Sequence, residues 1–216
     1  MTSRLAERLR AETRELHRSA ERTDFMATLL HGRMGRPAYR ALLGNLYAVY
    51  AALEPALHRH AGHPAIALLD LAALARAQPL ADDIATLDTD GSDRIAVGEV
   101  PACRAYVARL GELAASQPAL LLAHAYVRYL GDMSGGQMLR GIVARSMQLP
   151  GHVGTAFYDF GDLAATALLT SRFRSAIDAV QVDEDAMVAE AQSAFERHCR
   201  MFDELAIACG VDPRPR

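Results

Sequence analysis

The stretch His124-Ala-Tyr126-Val-Arg128-Tyr129-Leu-Gly131-Asp132-Met-Ser134-Gly135-Gly136-Gln137 decides how the rest of the chain is read. Pro118 opens the run that contains it, Pro150 and Gly151 close it, and between them the pattern is that of one long helix reaching about Met147. Gly131, Gly135 and Gly136 fall inside that helix, and each interior glycine costs roughly 1 kcal/mol relative to alanine. A total of about 2–3 kcal/mol must be offset by something that benefits from bare backbone. A missing Cβ lets a helix approach a flat ligand closely, and it permits a kink that opens and closes over that ligand. A close helix crossing, or a loop between two shorter helices, also explains the glycines but leaves Asp132 without a reason. Arg128 and Asp132 stand four apart and can pair, while Tyr126 and Tyr129 add hydroxyls, so the segment can bury a polar network that holds ordered water.

A second constellation lies near the start of the chain. Leu5, Leu9, Leu16 and Ala20 recur at helical spacing and predict an opening helix from about Ser3 to Arg22. Arg10, Arg14, His17 and Glu21 are spaced four, three and four, so two cations, an imidazole and a carboxylate share one stripe of it. At ~1.5 Å per residue the stripe from Arg10 to His17 covers on the order of 10 Å, enough to serve a large planar ligand lying edge-on. Solvated surface residues beside a partly exposed helix histidine would give the same spacing.

Between and beyond these stretches, helices account for most of the chain. A short segment spans Phe25 to Leu30, and Pro37 suits the first turn of a long helix through Tyr47, Tyr50 and Glu54, ending near Gly62. Pro64 and the Ala-Leu repeat after it predict a helix to about Ala77, with another after Pro79; Asp88 to Glu99 reads as a polar loop. Further helices are expected over Pro101–Ala115, Leu163–Val180 and Asp183–Cys209, the last opening on Asp183, Glu184 and Asp185.

Composition agrees with a single all-α domain. About half of the 216 residues are hydrophobic (51%), and period-2 strand patterns are hard to find. Residues 1–209 are expected to form the domain, with 210–216 a short polar tail. A net charge of -3 provides no field that would pull the chain onto nucleic acid or an anionic membrane, so neither partner is implied. Cys103, Cys199 and Cys209 are odd in number and not in C-x-x-C spacing, which suits free thiols in a reducing compartment. Met1 to Leu16 lacks the apolar core of a secretory signal, and the longest apolar run, Ala119 to Ala123, falls far short of the ~20 residues that span a bilayer. The expected location is cytoplasmic.

Several chemistries are unsupported. Gly131-Asp-Met-Ser134-Gly135 is not a G-x-S-x-G nucleophile elbow, no phosphate-binding G-x-x-x-x-G-K-[ST] loop occurs, and the absence of Glu-x-x-His argues against a di-iron bundle. His58, His60 and His63 cluster near a helix end and read as surface residues.

With both constellations on the page, the chain from Leu9 to Leu205 resembles the soluble, biliverdin-producing haem oxygenases of bacteria, an all-α family that holds haem between its first helix and a kinked glycine-rich distal helix. Glu12-Thr-Arg-Glu-Leu-His17-Arg-Ser-Ala-Glu21 is similar to the family's proximal segment, which implies that His17 is the iron ligand and Glu21 lies beside it. Asn45-Leu-Tyr47-Ala-Val-Tyr50-Ala-Ala-Leu-Glu54 resembles the next segment and implies a place for Tyr50 in a distal water network. Tyr129-Leu-Gly131-Asp132-Met-Ser134-Gly135-Gly136-Gln137 resembles the distal signature. By that likeness Asp132 orders water near bound oxygen, Arg128 supports it, and Tyr126, Gly131, Ser134 and Gly135 contact haem. Arg10, Arg14 and one of Arg172 and Arg174, with Arg174 preferred, would meet the propionates. Ala194-Phe195-Glu-Arg-His198-Cys-Arg-Met-Phe202 resembles the closing helix, implying that Phe195 and Phe202 line the haem pocket. His198 stands where the family often has asparagine. It can still hold water, but it titrates near neutral pH when unperturbed and is bulkier, so oxygen affinity, side-product formation or turnover is expected to differ from that of typical members.

The resemblance implies that haem is both cofactor and substrate, and that molecular oxygen opens the macrocycle to biliverdin, carbon monoxide and ferrous iron. A neutral His17 would bind iron while its other nitrogen donates to Glu21 or a carbonyl. No flavin or nicotinamide motif is visible, so an external reductase or ferredoxin-type donor is the implied electron source. A bilin acceptor such as a phytochrome would be a downstream partner. The competing readings are a haem carrier or sensor on the same fold, and a purely structural helical domain that binds no haem.

Overall fold

The computed structural model describes residues 4–87, 98–151 and 153–211. These form ten α-helices, and among the described residues there is no strand. α1 (Leu5–Arg22) and α2 (Asp24–Leu30) meet at Thr23, whose hydroxyl donates to the Ala20 carbonyl (2.8 Å) and accepts from the Met26 N–H, closing one helix and opening the next. Gly35 precedes α3 (Arg36–Arg59), with Pro37 in its first turn. α4 (Leu71–Leu74), α5 (Ala77–Leu87) and α6 (Pro101–Ser116) follow. The central rod is α7 (Leu121–Ala125), one π-helical turn (Tyr126–Leu130) and α8 (Gly131–Ser146), with right-handed helical angles at each junction. α9 (Leu163–Ala179) and α10 (Glu184–Ala208) each begin at an aspartate, Asp162 and Asp183, whose carboxylate accepts an N–H of the first turn.

α10 organises the packing. α1 lies along it, and it crosses α2, α6, α7 and the π turn, while α3 packs on α5 and α6. The core runs between them through Leu9, Tyr50, Leu53, Tyr106, Leu122, Met187, Ala191 and Met201, all fully buried or nearly so.

A short turn, Ala156–Tyr158, packs between α5 and α8 and braces the rod. The Asp83 carboxylate accepts the N–H groups of Ala156 and Phe157 (both 2.8 Å), and the Tyr39 hydroxyl donates to the Gly154 carbonyl (2.8 Å). The Arg76 guanidinium donates to the Asp159 carbonyl and sits 4.1 Å over the Phe160 ring. Held this way, Phe157 packs against Tyr50, and Tyr158 comes within 3.5 Å of where a Cβ on Gly136 would stand.

Three expectations change. The helix expected from Pro64 to Ala77 is instead a series of tight turns followed by the four-residue α4. Asp70 ends the first run because its carboxylate caps α4, which requires a non-helical backbone at Asp70 itself (ψ 76°). α5 starts before Pro79, which sits in its first turn, where a missing N–H breaks no bond. The long helix through Gly131 is present, but its π turn was not expected. Of the loop expected over Asp88 to Glu99, residues 88–97 lie outside the described residues, as do 212–216 of the expected tail.

Candidate haem cleft and distal network

The residues singled out on the opening helix converge on one cleft of about 430 Å³ between α1, the π turn, the start of α8, and single residues of α9 and α10. From α1 it is lined by Arg10, Thr13, Arg14, His17, Arg18 and Glu21; from the rod by Tyr126, Val127, Leu130, Gly131 and Ser134; from α9 and α10 by Arg174 and Phe195. His17 is half-exposed, its ring edge-on to Phe195 with centroids 5.8 Å apart. Its Nδ1 stands 3.7 Å from Glu21 Oε1, within Coulombic reach but beyond a hydrogen bond. The expected donation to Glu21 is therefore not made. Nδ1 faces Glu21, so Nε2 is the ring nitrogen on the far side of the imidazole from that carboxylate. Arg10 and Arg174 form no ion pair with another described residue, so both cations are available to an anionic ligand. Arg172 faces a different groove, with Leu68, Asp70 and Leu74, so of the two arginines only Arg174 reaches the His17 cleft.

Gly131 and Gly135 each have open space within 4 Å of where a Cβ would stand. Neither glycine is required by packing inside the protein, in contrast to Gly136 against Tyr158. At Gly131 a side chain would project toward the cleft, so the bare backbone there serves what enters the cleft. Burial pushes the Tyr126 phenol up, against an opposing pull from Thr13 and from the charges of Arg174 and Arg10.

Behind the rod wall lies a polar network built by the π turn and its neighbours. Arg128 Nη2 donates to both carboxylate oxygens of Asp132 (2.8 and 2.9 Å). The Tyr50 hydroxyl donates to Asp132 Oδ2. Arg128 Nη1 donates to His198 Nε2 (3.0 Å), and the guanidinium carbon lies 5.4 Å from the centre of the Tyr50 ring. Burial raises the Asp132 carboxyl above the usual aspartate range, against the opposing pull of Arg128 and Tyr50. Burial would lower Arg128, but Asp132 together with Tyr50 and Tyr106 outweighs it and keeps the guanidinium charged. Tyr50 is pushed far up by burial and then by Asp132, so it remains a donor.

His198 departs from the expectation that it titrates near neutral pH. Burial first, and the charge of Arg128 second, push its imidazole well below the ordinary 6.5, so the ring is neutral. A further chain lies beyond it: His124 Nδ1 meets the Tyr106 hydroxyl (3.0 Å), and Glu190 Oε1 meets His124 Nε2 (2.9 Å) while Oε2 accepts from Arg109 (2.7 Å). Tyr106 packs edge-on to His198 with centroids 4.9 Å apart.

Nine of the residues named from the sequence line the cleft: Arg10, Arg14, His17, Glu21, Tyr126, Gly131, Ser134, Arg174 and Phe195. Asp132, Tyr50, Arg128 and His198 form the network behind it. Two do not take the expected place. Phe202 stacks on Phe25 of α2 (6.4 Å) and is buried there, because seven residues of helix carry it about 10 Å beyond Phe195. Gly135 lies one turn past Gly131 and does not line the cleft. Thr13, Val127 and Leu130 line it and were not singled out; Thr13 could have been, since it continues the stripe at three from Arg10 and four from His17. His60 Nε2 meets the Ala114 carbonyl (2.9 Å), and no group of side chains among the described residues could hold a bare metal ion.

Comparison with known proteins accords with this arrangement. The "Heme oxygenase" family model matches residues 3–204. Among curated relatives, heme oxygenase 1 of Nostoc sp. is 38% identical over 95% of this chain and 87% of its own length. Heme oxygenase of Takifugu rubripes is 34% identical over 93% of this chain and 74% of its own length. Among solved structures, heme oxygenase-1 from Synechocystis sp., in complex with heme, superposes with a TM-score of 0.86 at 36% identity, covering 97% of both chains. Heme oxygenase-2 from the same organism, in complex with heme and NO, gives 0.87 at 32% identity, covering 99% of this chain and 94% of that one. No described helix is long and apolar enough to cross a membrane. The chain belongs to the heme oxygenase family.

Proposed function

We propose that this chain, acting through one domain of residues 1–209, binds a single haem in the cleft and oxidises it to biliverdin, carbon monoxide and ferrous iron. The reading is carried by one observation: His17, the free cations Arg10 and Arg174, and the bare backbone at Gly131 share a single cleft with the Asp132 network directly behind it. Bound haem supplies both the oxygen-activating iron and the macrocycle that is opened, and an external reductase or ferredoxin-type protein supplies the electrons.

The protein's share of the work falls to named groups. His17 would hold the iron through Nε2, with Glu21 beside Nδ1 favouring that ring orientation. Arg10, Arg14 and Arg174 hold the propionates at the rim. Bare backbone at Gly131 would let the rod approach a flat macrocycle in the cleft, where a side chain would stand in the way. Asp132, raised by burial, takes up a proton more readily than a solvated aspartate, and it delivers that proton through an ordered water on the cleft side. Tyr50 and Arg128 hold its two oxygens in place from behind.

The test is absorbance of the purified chain with one equivalent of haem, before and after reductant in air. A Soret band that decays into a biliverdin spectrum is expected. A stable band would replace the enzyme by a haem carrier or sensor, and no band would overturn haem binding altogether.

A further inference from the structure

We infer that His198 is a positioning residue: a single-tautomer hydrogen-bond acceptor that locks the Arg128 guanidinium, and through it the Asp132 carboxylate. The inference rests on the reading of Asp132 as the group that handles protons in the cleft.

Both ring nitrogens of His198 are assigned by their partners. A guanidinium has only donors, so Nε2, 3.0 Å from Arg128 Nη1, must be the acceptor. Nδ1 then carries the proton, and it lies 2.8 Å from the Ala194 carbonyl one turn back on α10, which can only accept. Two independent contacts thus require the same neutral tautomer. The ring is 2% exposed and held edge-on by Tyr106 and from the side by Phe202, with centroids 4.9 and 6.0 Å away. The groups facing it are Arg128 from the π turn, Tyr106 from α6 and His124 from α7; Arg128 and, less strongly, His124 oppose protonation of His198.

The consequence reaches Asp132. With Nη1 spent on His198 and Nη2 on both Asp132 oxygens, Arg128 cannot rotate without breaking bonds on two helices. Asp132 is then fixed from Arg128 on one side and Tyr50 on the other. A side chain that presents no acceptor at the position of Nε2 would free Nη1, and the carboxylate would lose its fixed aim.

Two measurements test this. Long-range proton–nitrogen NMR of the haem-free, histidine-labelled chain should show His198 with its proton on Nδ1 and unchanged shifts from about pH 5 to 8. A proton on Nε2, or a charged ring at neutral pH, would overturn the inference. In the haem-loaded enzyme, His198→Leu removes the acceptor, whereas His198→Gln places an amide oxygen near the position of Nε2. The leucine variant should lower kcat about tenfold with KM for haem within about twofold, and glutamine should recover kcat to within about threefold of the parent. Glutamine no better than leucine, or a leucine variant with unchanged kcat, would also overturn it. If the parent chain does not turn haem over, the broader functional reading fails, while the NMR result still decides the His198–Arg128 bond.

Discussion

The α1 wall of the cleft and the wall facing it hold their polar groups by opposite means. On α1, His17 and Glu21 are each about half exposed, and Arg14 reaches only its neighbour Glu15 at 3.7 Å. Across the cleft, the side chains of Arg128 and Asp132 are 9% and 12% exposed, and each of their bonds is shared with another helix or turn. The solvated groups of α1 can turn and change partners at little cost to the fold, because they are already hydrated. A buried ion pair has no such freedom: removing one partner strands the other's charge in low dielectric. One wall can therefore be altered as a binding surface, while the other cannot be altered without altering the protein.

The widest separation of the two walls should come from paired alanine variants. Asp132→Ala is expected to lower the unfolding free energy of the haem-free chain by about 3–5 kcal/mol in urea titration, and to abolish biliverdin formation with haem still bound. His17→Ala should change stability by no more than about 0.5 kcal/mol, yet lose the spectral signature of a histidine-ligated iron. Equal stability losses in the two would erase the distinction.

A second expected effect, on the order of 2 kcal/mol, concerns the deeper part of the buried wall. Burial would raise Glu190, but its hydrogen bond to His124 and its pairing with Arg109 outweigh this and hold it at about 2, against an ordinary 4.5. The native state thus favours the charged form. Its contribution is complete above 4.5 and is lost as pH falls toward 2. Urea midpoints measured across that interval should fall less steeply in Glu190→Gln than in the parent chain; parallel curves would remove Glu190 from the acid response.

Gly131→Ala sharpens the comparison at the boundary between the walls. A methyl group meets nothing inside the protein there, so thermal unfolding of the haem-free chain should show up to about 1 kcal/mol of added stability. Haem affinity, read by absorbance titration, should weaken about tenfold. The smallest effect is at the rim: Arg174→Ala should weaken haem binding about threefold, and Arg172→Ala should leave it unchanged.

Much of this was legible in the chain itself, and where it was not there is a physical cause. Proline and glycine punctuation marks the ends of α3, α6 and the central rod, and the stripe from Arg10 to Glu21 brings its members to one surface. Asp70 hid the break before α4, because an aspartate within an Ala-Leu run reads as a surface position until its carboxylate is seen to cap the Ala73 N–H. Phe202 shares a helical stripe with Phe195, but spacing gives direction around a helix and not which neighbour is met farther along it. The tautomer of His198 depends on Arg128, seventy positions away, and no local pattern carries that.

The π turn at Tyr126–Leu130 holds one residue more than an α-helical path between the same two points would need. Successive residues of a helix are turned by about 100°. Deleting one position from this turn would let an α-helical path join the same two points, so Gly131 and Asp132 would keep their places while the residues inside the turn, Arg128 among them, would be redistributed around the rod. The chemistry thus hangs on an insertion the scaffold can do without.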